Sequence, residues 1–180
     1  MNTFNMKKYI CLVWVCFLFF HQQIFAQELK SEFLFDLTLD LNPPQVVGPG
    51  LQGTRLIFPF KNGYVKGDKI NGKILECGAD WGLIPDSTTF KIDVRATMQT
   101  DDGALIFITY SGYNHANAKN FAKIIDGKGS ELSPDDYYFR TSVYFETSSP
   151  KYSWLNHTVG IGVGRFPADL KVAYRIYAIK

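Results

Sequence analysis

Apolar and polar residues alternate along most of the chain after residue 28. Residues 33–41, FLFDLTLDL, place phenylalanine or leucine at every second position, and residues 136–147, DYYFRTSVYFET, repeat this with aromatic side chains. A period of two indicates a strand that buries one face and exposes the other. Nine or ten such segments follow one another, separated by Gly, Pro and Asn turn signals and without a convincing long helix. The pattern predicts an all-β, antiparallel barrel or sandwich.

The segment at residues 91–110, KIDVRATMQTDDGALIFITY, is two strand patterns joined by an Asp-Gly turn. A two-residue loop at Asp102 and Gly103 is typical of a tight β-hairpin. In that register one face pairs Arg95 with Tyr110, Thr97 with Ile108 and Gln99 with Ile106. The other face is apolar: Ile92, Val94, Ala96, Met98, Leu105 and Phe107. Arg95 then faces solvent, unless a partner subunit or a packed segment covers the apolar side and leaves Arg95 in a lumen.

The first 26 residues have the pattern of a secretion signal. Lys7 and Lys8 precede the apolar run YICLVWVCFLFF, and Ala26 precedes the expected cleavage site. The apolar run is short for a membrane span. We therefore predict a leader at residues 1–26, a single domain at residues 27–180, a secreted or periplasmic location, and no membrane insertion after cleavage.

The charge of the mature chain argues against polyanionic partners. Of the 19 basic residues, Lys7 and Lys8 lie in the leader, so 17 remain beside 17 acidic ones. With a net charge of zero, no basic field remains to attract nucleic acid. Metal binding has little support, because His115 and His157 lack a second histidine or a cysteine at ligand spacing. We expect neither a metal nor an organic cofactor.

Residues 114–133 are polar, contain glycine and are weakly periodic. They are compatible with one or two helical turns that bury Phe121, Ile124 and Ile125, and equally with a long loop or lid. The sequence leaves these alternatives open.

Five segments in order, containing GADW, RATMQTDDG, YYFRTSVYFET, YSWLN and VGIGVG, resemble a bacterial and fungal family catalogued as domain of unknown function 3237. The resemblance covers residues 33–179. It implies an antiparallel β-barrel of lipocalin-like (calycin-like) shape, frequently as a homo-oligomer, and it supplies no agreed activity. The secretion signal departs from most members, which we expect to be cytoplasmic.

The family motifs point to ten positions of this chain: Asp80, Trp81, Arg95, Asp102, Gly103, Arg140, Phe145, Glu146, Trp154 and Asn156. As catalytic candidates we take Asp80 or Glu146 for a base, with Arg140 or Arg95 to stabilise an oxyanion. The candidate ligand contacts are Trp81, Tyr138, Tyr144, Phe145, Trp154 and Asn156. The structural alternatives are a turn aspartate at Asp80, a core Trp81, and a solvated strand face at residues 138–146.

Three hypotheses for function follow. In the first, the barrel binds a small, partly apolar molecule with a carbonyl or carboxylate, held by arginine; any chemistry would be that of a cofactor-free lyase, hydratase or isomerase. The second is a non-catalytic periplasmic carrier, and the third an oligomeric assembly protein. A carboxylate buried beside arginine in a pocket favours the enzyme, aromatic walls without a carboxylate favour the carrier, and a filled barrel favours assembly.

Overall fold

The structure is a computed structural model that describes residues 28–180, so the leader prediction lies outside the described residues. Its ten strands form one antiparallel sheet, which confirms the predicted fold class. The strands are β1 Ser31–Leu41, β2 Gln45–Gly50, β3 Gly53–Lys66, β4 Asn71–Ile74, β5 Ala79–Asp86, β6 Thr89–Thr100, β7 Leu105–Ala116, β8 Tyr137–Glu146, β9 Gly160–Ala168 and β10 Lys171–Ile179. No helix within this part of the chain is both long and apolar enough to cross a bilayer.

The sheet closes into a barrel through its longest strand. Neighbouring strands run β1-β10-β9-β8-β7-β6, and β6 then pairs with both β4 and β5. The first half of β3 pairs with β2 and β5, and its second half pairs with β4 and β1, which completes the circle. Alternate side chains therefore point into one enclosed interior.

The two ends of the barrel differ. At one end the 3₁₀ segment Pro150–His157 forms a plug, with Tyr152 and Leu155 buried. At the other end, helix α1, Ala118–Ile125, buries Phe121 and leaves the interior partly open. Of the two alternatives for residues 114–133, the helix is present, and short 3₁₀ segments follow it at Gly129–Glu131 and Pro134–Asp136. We call these the plugged end and the open end.

The predicted register of the central hairpin is wrong by one residue. The loop holds three residues, 101–103, with Gly103 at φ +86°, and the Thr100 hydroxyl accepts a hydrogen bond from the Ala104 amide at 2.9 Å. Val94, Ala96 and Met98 consequently face Tyr110, Ile108 and Ile106, all inside the barrel. A three-residue loop with a left-handed glycine adds one position to the turn, so every β7 side chain changes face.

Candidate functional site

A cavity of about 330 Å³ occupies the open end of the barrel. Aromatic and aliphatic side chains form most of its wall, including Leu56, Phe58, Phe90, Ile92, Phe139 and Phe166. Four polar side chains reach it from inside the barrel: Asp80, Tyr110, Asn114 and Tyr174. Charged residues occur at its mouth, where Asp126, Asp169 and Lys171 lie beside Pro43 and Pro44. We call this space the barrel cavity.

Asp80 is the carboxylate that reaches the barrel cavity from inside the barrel. It lies on β5 opposite Phe58 of β3 and Val94 of β6, and its Oδ1 accepts a hydrogen bond from the Asp93 amide at 3.0 Å. The side chain keeps partial exposure through the cavity, while protein surrounds it elsewhere. This burial raises the pKa of Asp80 to about 7, although the Asp93 amide opposes the shift. Both protonation states are therefore available near neutral pH.

The neighbours of Asp80 on β5 fix its position. A Cβ at Gly82 would lie 1.8 Å from the ring of Phe90, so only glycine leaves room for that ring beside Asp80. On β3, the Arg55 guanidinium donates hydrogen bonds to the Trp81 and Gly82 carbonyls and so holds the β5 backbone. The GADWG segment thus packs an aromatic wall next to a carboxylate that is held by a backbone amide.

Two tyrosines face Asp80 from other strands. The rings of Tyr110 on β7 and Tyr174 on β10 lie 5.2 Å apart, and both residues are 3% exposed. Burial raises the pKa of each phenol, and the nearby Asp80 charge raises it further. Both side chains therefore remain protonated and can donate hydrogen bonds.

Several polar atoms of the interior have no partner within residues 28–180. They are the Tyr110 hydroxyl, both amide atoms of Asn114, and the Thr141 hydroxyl. Asn114 is 2% exposed, yet it lines the barrel cavity together with Tyr110. A buried polar group without a hydrogen bond costs roughly 1–3 kcal/mol, so these atoms suit a guest with polar groups of its own.

Asp80 is the one predicted catalytic residue that the structure places in the barrel cavity, since the other three lie on the outer face. Glu146 is exposed, and Arg140 is half-buried on the same outward side of β8. Half of the Arg95 side chain is exposed, and it pairs with Asp93 at 3.2 Å. Of the alternatives that the sequence left open, the structure shows the solvent-facing one for Arg95 and the solvated strand face for Arg140 and Glu146, because β8 and β6 turn the opposite, more apolar set of side chains inward.

The predicted ligand contacts are likewise dispersed. Trp81 lies under Arg95 on the outer face, with the guanidinium 5.4 Å from the ring centre. Tyr138, Tyr144 and Trp154 are exposed, whereas Phe145 belongs to the core and packs on Phe35. Asn156 bonds both backbone groups of Thr147 and so fixes the plugged end. None of these six residues lines the barrel cavity.

The Asp102-Gly103 motif has a structural role at the plugged end. Asp102 accepts hydrogen bonds from Lys151 at 2.6 Å, from Thr100 at 2.5 Å and from the Tyr152 hydroxyl at 3.2 Å. These contacts tie the hairpin loop to the segment that closes the barrel. The Lys151 and Thr100 donors lower the pKa of Asp102 to about 2.

The predicted hairpin register puts Tyr110 on the same face as Arg95, and no sequence motif points to Asn114 or Tyr174. All three occupy inward positions of regular strands, so the correct hairpin loop would have placed Tyr110 and Asn114 inside. On β9, Gly160, Gly162 and Gly164 are buried and point inward, whereas Ile161 and Val163 lie on the outer side of the strand. A Cβ at Gly164 would lie 2.5 Å from the ring of Phe139, which explains why glycine is required there.

The described residues bring no three His, Cys, Asp or Glu side chains into a metal-binding arrangement. His115 bonds the Thr89 hydroxyl at 3.1 Å on the exterior, between the ends of β6 and β7. The expected absence of a metal and of a cofactor stays a prediction.

Known proteins share both this fold and this sequence pattern. A UPF0311 protein of Rhodopseudomonas palustris (strain TIE-1) is 31% identical over 141 residues, which cover 78% of this chain and 91% of that protein. The crystal structure of a β-barrel-like protein from Acinetobacter baumannii AYE is 37% identical with a TM-score of 0.76, covering 88% of this chain and 100% of that one. An enzyme from Penicillium herquei, 22% identical with a TM-score of 0.63, covers 86% of this chain and 97% of its own, a likeness of fold.

The family assignment rests on nearly the whole described chain. Residues 29–179 match the family described as "Protein of unknown function (DUF3237)", and the Rhodopseudomonas relative aligns over most of its own length. The chain therefore belongs to the DUF3237 family.

Proposed function

We propose that the protein binds a small, largely apolar, neutral molecule with a carbonyl group in the barrel cavity, and that Asp80 transfers a proton next to that carbonyl. The observation that carries this proposal is a carboxyl group with a pKa of about 7 in an apolar cavity that it shares with two protonated phenols. The reaction class is a cofactor-free isomerase, lyase or hydratase. The predicted leader would place it in the periplasm or outside the cell.

The size and polarity of the barrel cavity support a small, neutral ligand. Its volume of about 330 Å³ suits a compact ring or a short chain. Lys171 lies at the mouth, and the arginines proposed from sequence to hold an anion lie outside the barrel. The deep part of the cavity offers phenols and an amide instead, and these groups pair with a neutral carbonyl at a lower desolvation cost than with a carboxylate.

The positions of Asp80, Tyr110 and Tyr174 around the barrel cavity support the following proton transfer. Ionised Asp80 removes a proton from the carbon next to the carbonyl; the C–H electron pair moves to form an enolate, whose charge rests on oxygen. Tyr110 and Tyr174 donate hydrogen bonds to that oxygen, and protonated Asp80 returns the proton to the same or another carbon. A pKa near the working pH lets one carboxyl group serve in both steps.

A non-catalytic carrier is the second candidate. The unpartnered Tyr110 hydroxyl and Asn114 amide favour it, because they can hold a carbonyl without any proton transfer. The carrier and the enzyme differ in what they need from Asp80. The carrier needs a polar side chain of that shape, whereas the enzyme needs an ionisable one.

A hydrogen-exchange experiment tests the proposal. The protein is incubated with a panel of neutral monocyclic and bicyclic ketones in D₂O, and loss of the α-proton signal is followed by NMR. We expect faster exchange for at least one ketone, and we expect Asp80→Asn to abolish the acceleration. Asp68→Asn, an exposed site between β3 and β4, is the matched control. Ligand binding that survives Asp80→Asn, with no acceleration by either protein, would establish the carrier instead.

A further inference from the structure

A second recess lies outside the barrel, on the opposite face of the sheet from the barrel cavity. This groove of about 460 Å³ crosses β6, β7, β8 and β9. The side chains at its surface are Lys91, Ser111, Tyr113, Tyr138, Arg140, Ser142 and Ile161. Arg140 and Tyr138 thus share one face of β8, on the exterior. We call this recess the outer groove.

The outer groove carries two cations that are held apart by one strand. Lys91 lies opposite Tyr113, and Tyr113 lies opposite Arg140, so the two cations start roughly 10 Å apart. Neither cation forms an ion pair with any residue in the described part of the chain. Asp93, on the same face of β6, is already paired with Arg95. The groove is therefore positive although the mature chain is predicted to be neutral.

The Arg140 guanidinium is oriented before any ligand arrives. One of its nitrogens donates to the Phe139 carbonyl at 2.9 Å, and its carbon lies 5.4 Å from the centre of the Tyr138 ring. The remaining N–H groups are left to pair with an acceptor. A guanidinium fixed in this way loses less side-chain entropy when it binds a carboxylate.

The walls and floor indicate what the carboxylate is attached to. Tyr113 and Tyr138 are each about half exposed and can offer ring faces, while Ser111 and Ser142 lie opposite each other and add hydroxyl groups. The groove is open, so a guest keeps one side in water. A sugar ring can stack its C–H face on tyrosine, offer hydroxyl groups to the two serines and leave its other hydroxyl groups hydrated, so it suits both the walls and the open side of the groove.

We propose that the outer groove is a binding site for a carboxylate-bearing sugar, such as a uronic acid unit, with Arg140 and Lys91 pairing with the carboxylate and Tyr113 and Tyr138 stacking on the ring. This site is separate from the barrel cavity. On β8 the side chains of Tyr138 and Arg140 point outward, whereas those of Phe139 and Thr141 point inward.

Calorimetric titration with trigalacturonate at low salt tests this site. We expect binding that weakens as salt is added, and much weaker binding of the fully methyl-esterified trisaccharide, which keeps the rings and loses the charge. Arg140→Gln and Lys91→Gln should each lower the affinity roughly ten-fold. Lys61→Gln, an exposed lysine on β3, should leave it unchanged. Thermal unfolding of each variant verifies that the fold is intact.

Four outcomes would overturn the proposal: no binding of trigalacturonate by the wild-type protein, equal binding of the ester, equal binding by folded Arg140→Gln, or tighter binding of benzoate than of trigalacturonate. A change in oligomeric state in Arg140→Gln, without any saccharide binding by the wild-type protein, would assign the groove to contact with a second copy. Asp80→Asn should bind trigalacturonate normally, so failure at the outer groove and failure at the barrel cavity remain distinguishable.

Discussion

The two ends of the barrel each contain an aspartate from the family motifs, and their surroundings shift the two pKa values in opposite directions. At the plugged end, Asp102 accepts hydrogen bonds from Lys151, Thr100 and Tyr152, which lower its pKa to about 2. At the open end, Asp80 has a single backbone donor among apolar walls, and desolvation raises its pKa to about 7. The first carboxylate holds the structure together, and the second is costly to keep charged.

The comparison shows that two aspartates from the same set of family motifs can have different roles. Asp102 fastens the hairpin loop to the 3₁₀ segment that closes the barrel, and its donors leave it no capacity for proton transfer near neutral pH. Asp80 accepts one hydrogen bond, from the Asp93 amide, and borders the part of the interior that is unfilled. Under the proposed function, the family motifs therefore combine one aspartate that fastens the barrel with one that transfers a proton.

The largest expected change in stability comes from the plugged end. Leu155 is fully buried in the segment that closes the barrel, so Leu155→Ala should lower the free energy of unfolding by roughly 2–5 kcal/mol. Ile124→Ala, at the half-buried mouth of the open end, should cost less than about 2 kcal/mol. Urea unfolding followed by fluorescence measures both. Equal losses would contradict the division of the barrel into a plugged end and an open end.

The raised pKa of Asp80 and the lowered pKa of Asp102 predict opposite effects of pH on the free energy of unfolding. Because the pKa of Asp80 rises from 3.8 in the unfolded chain to about 7 in the folded protein, its contribution to stability declines as the pH increases between those values. Asp80→Asn should remove that decline and raise the free energy of unfolding above neutral pH, by at most about 4 kcal/mol.

The contribution of Asp102 to stability has the opposite pH dependence. Its folded pKa of about 2 lies below the unfolded value of 3.8, so its contribution is present above that value and is lost as the pH falls through this range. Asp102→Asn should therefore destabilise the protein near neutral pH and matter less in strong acid. Urea unfolding at a series of pH values checks both variants, and parallel pH curves for wild type and Asp80→Asn would refute the raised pKa of Asp80.

In β8, the alternation of residues predicted the two faces of the strand better than it predicted the site. On β8, Tyr137, Phe139 and Val143 lie inside as the pattern indicated. The hypothesis that Arg140 and Glu146 line a lumen failed because the cavity lies among the apolar side chains. Contacts between segments that are distant in sequence decide which end of a barrel stays unfilled. Here the 3₁₀ segment fills one end, and α1 leaves the other partly open. Local periodicity does not predict such contacts.

The central hairpin likewise has a feature that the local sequence does not decide, which is the length of its loop. Asp101-Asp102-Gly103 is compatible with a two-residue and with a three-residue loop, and the choice decides which face of β7 carries Tyr110. Asp80 was found because the family resemblance marked it. Tyr110 and Tyr174, its partners in the barrel cavity, come from strands whose aromatic residues looked interchangeable in sequence.

Tyr110→Phe should give the smallest change in stability. It is also the sharpest test of ligand binding at the open end. The hydroxyl that it removes is buried and has no hydrogen-bond partner within residues 28–180, so the free energy of unfolding should change by less than about 1 kcal/mol or increase. The same variant should bind a neutral ketone in the barrel cavity about ten-fold more weakly, because it loses a donor to the carbonyl oxygen. Tyr113→Phe, on the outer face of the same strand, is the matched control and should change neither quantity. A loss of stability without a loss of affinity would mean that the Tyr110 hydroxyl serves the fold, and that the ligand is held elsewhere.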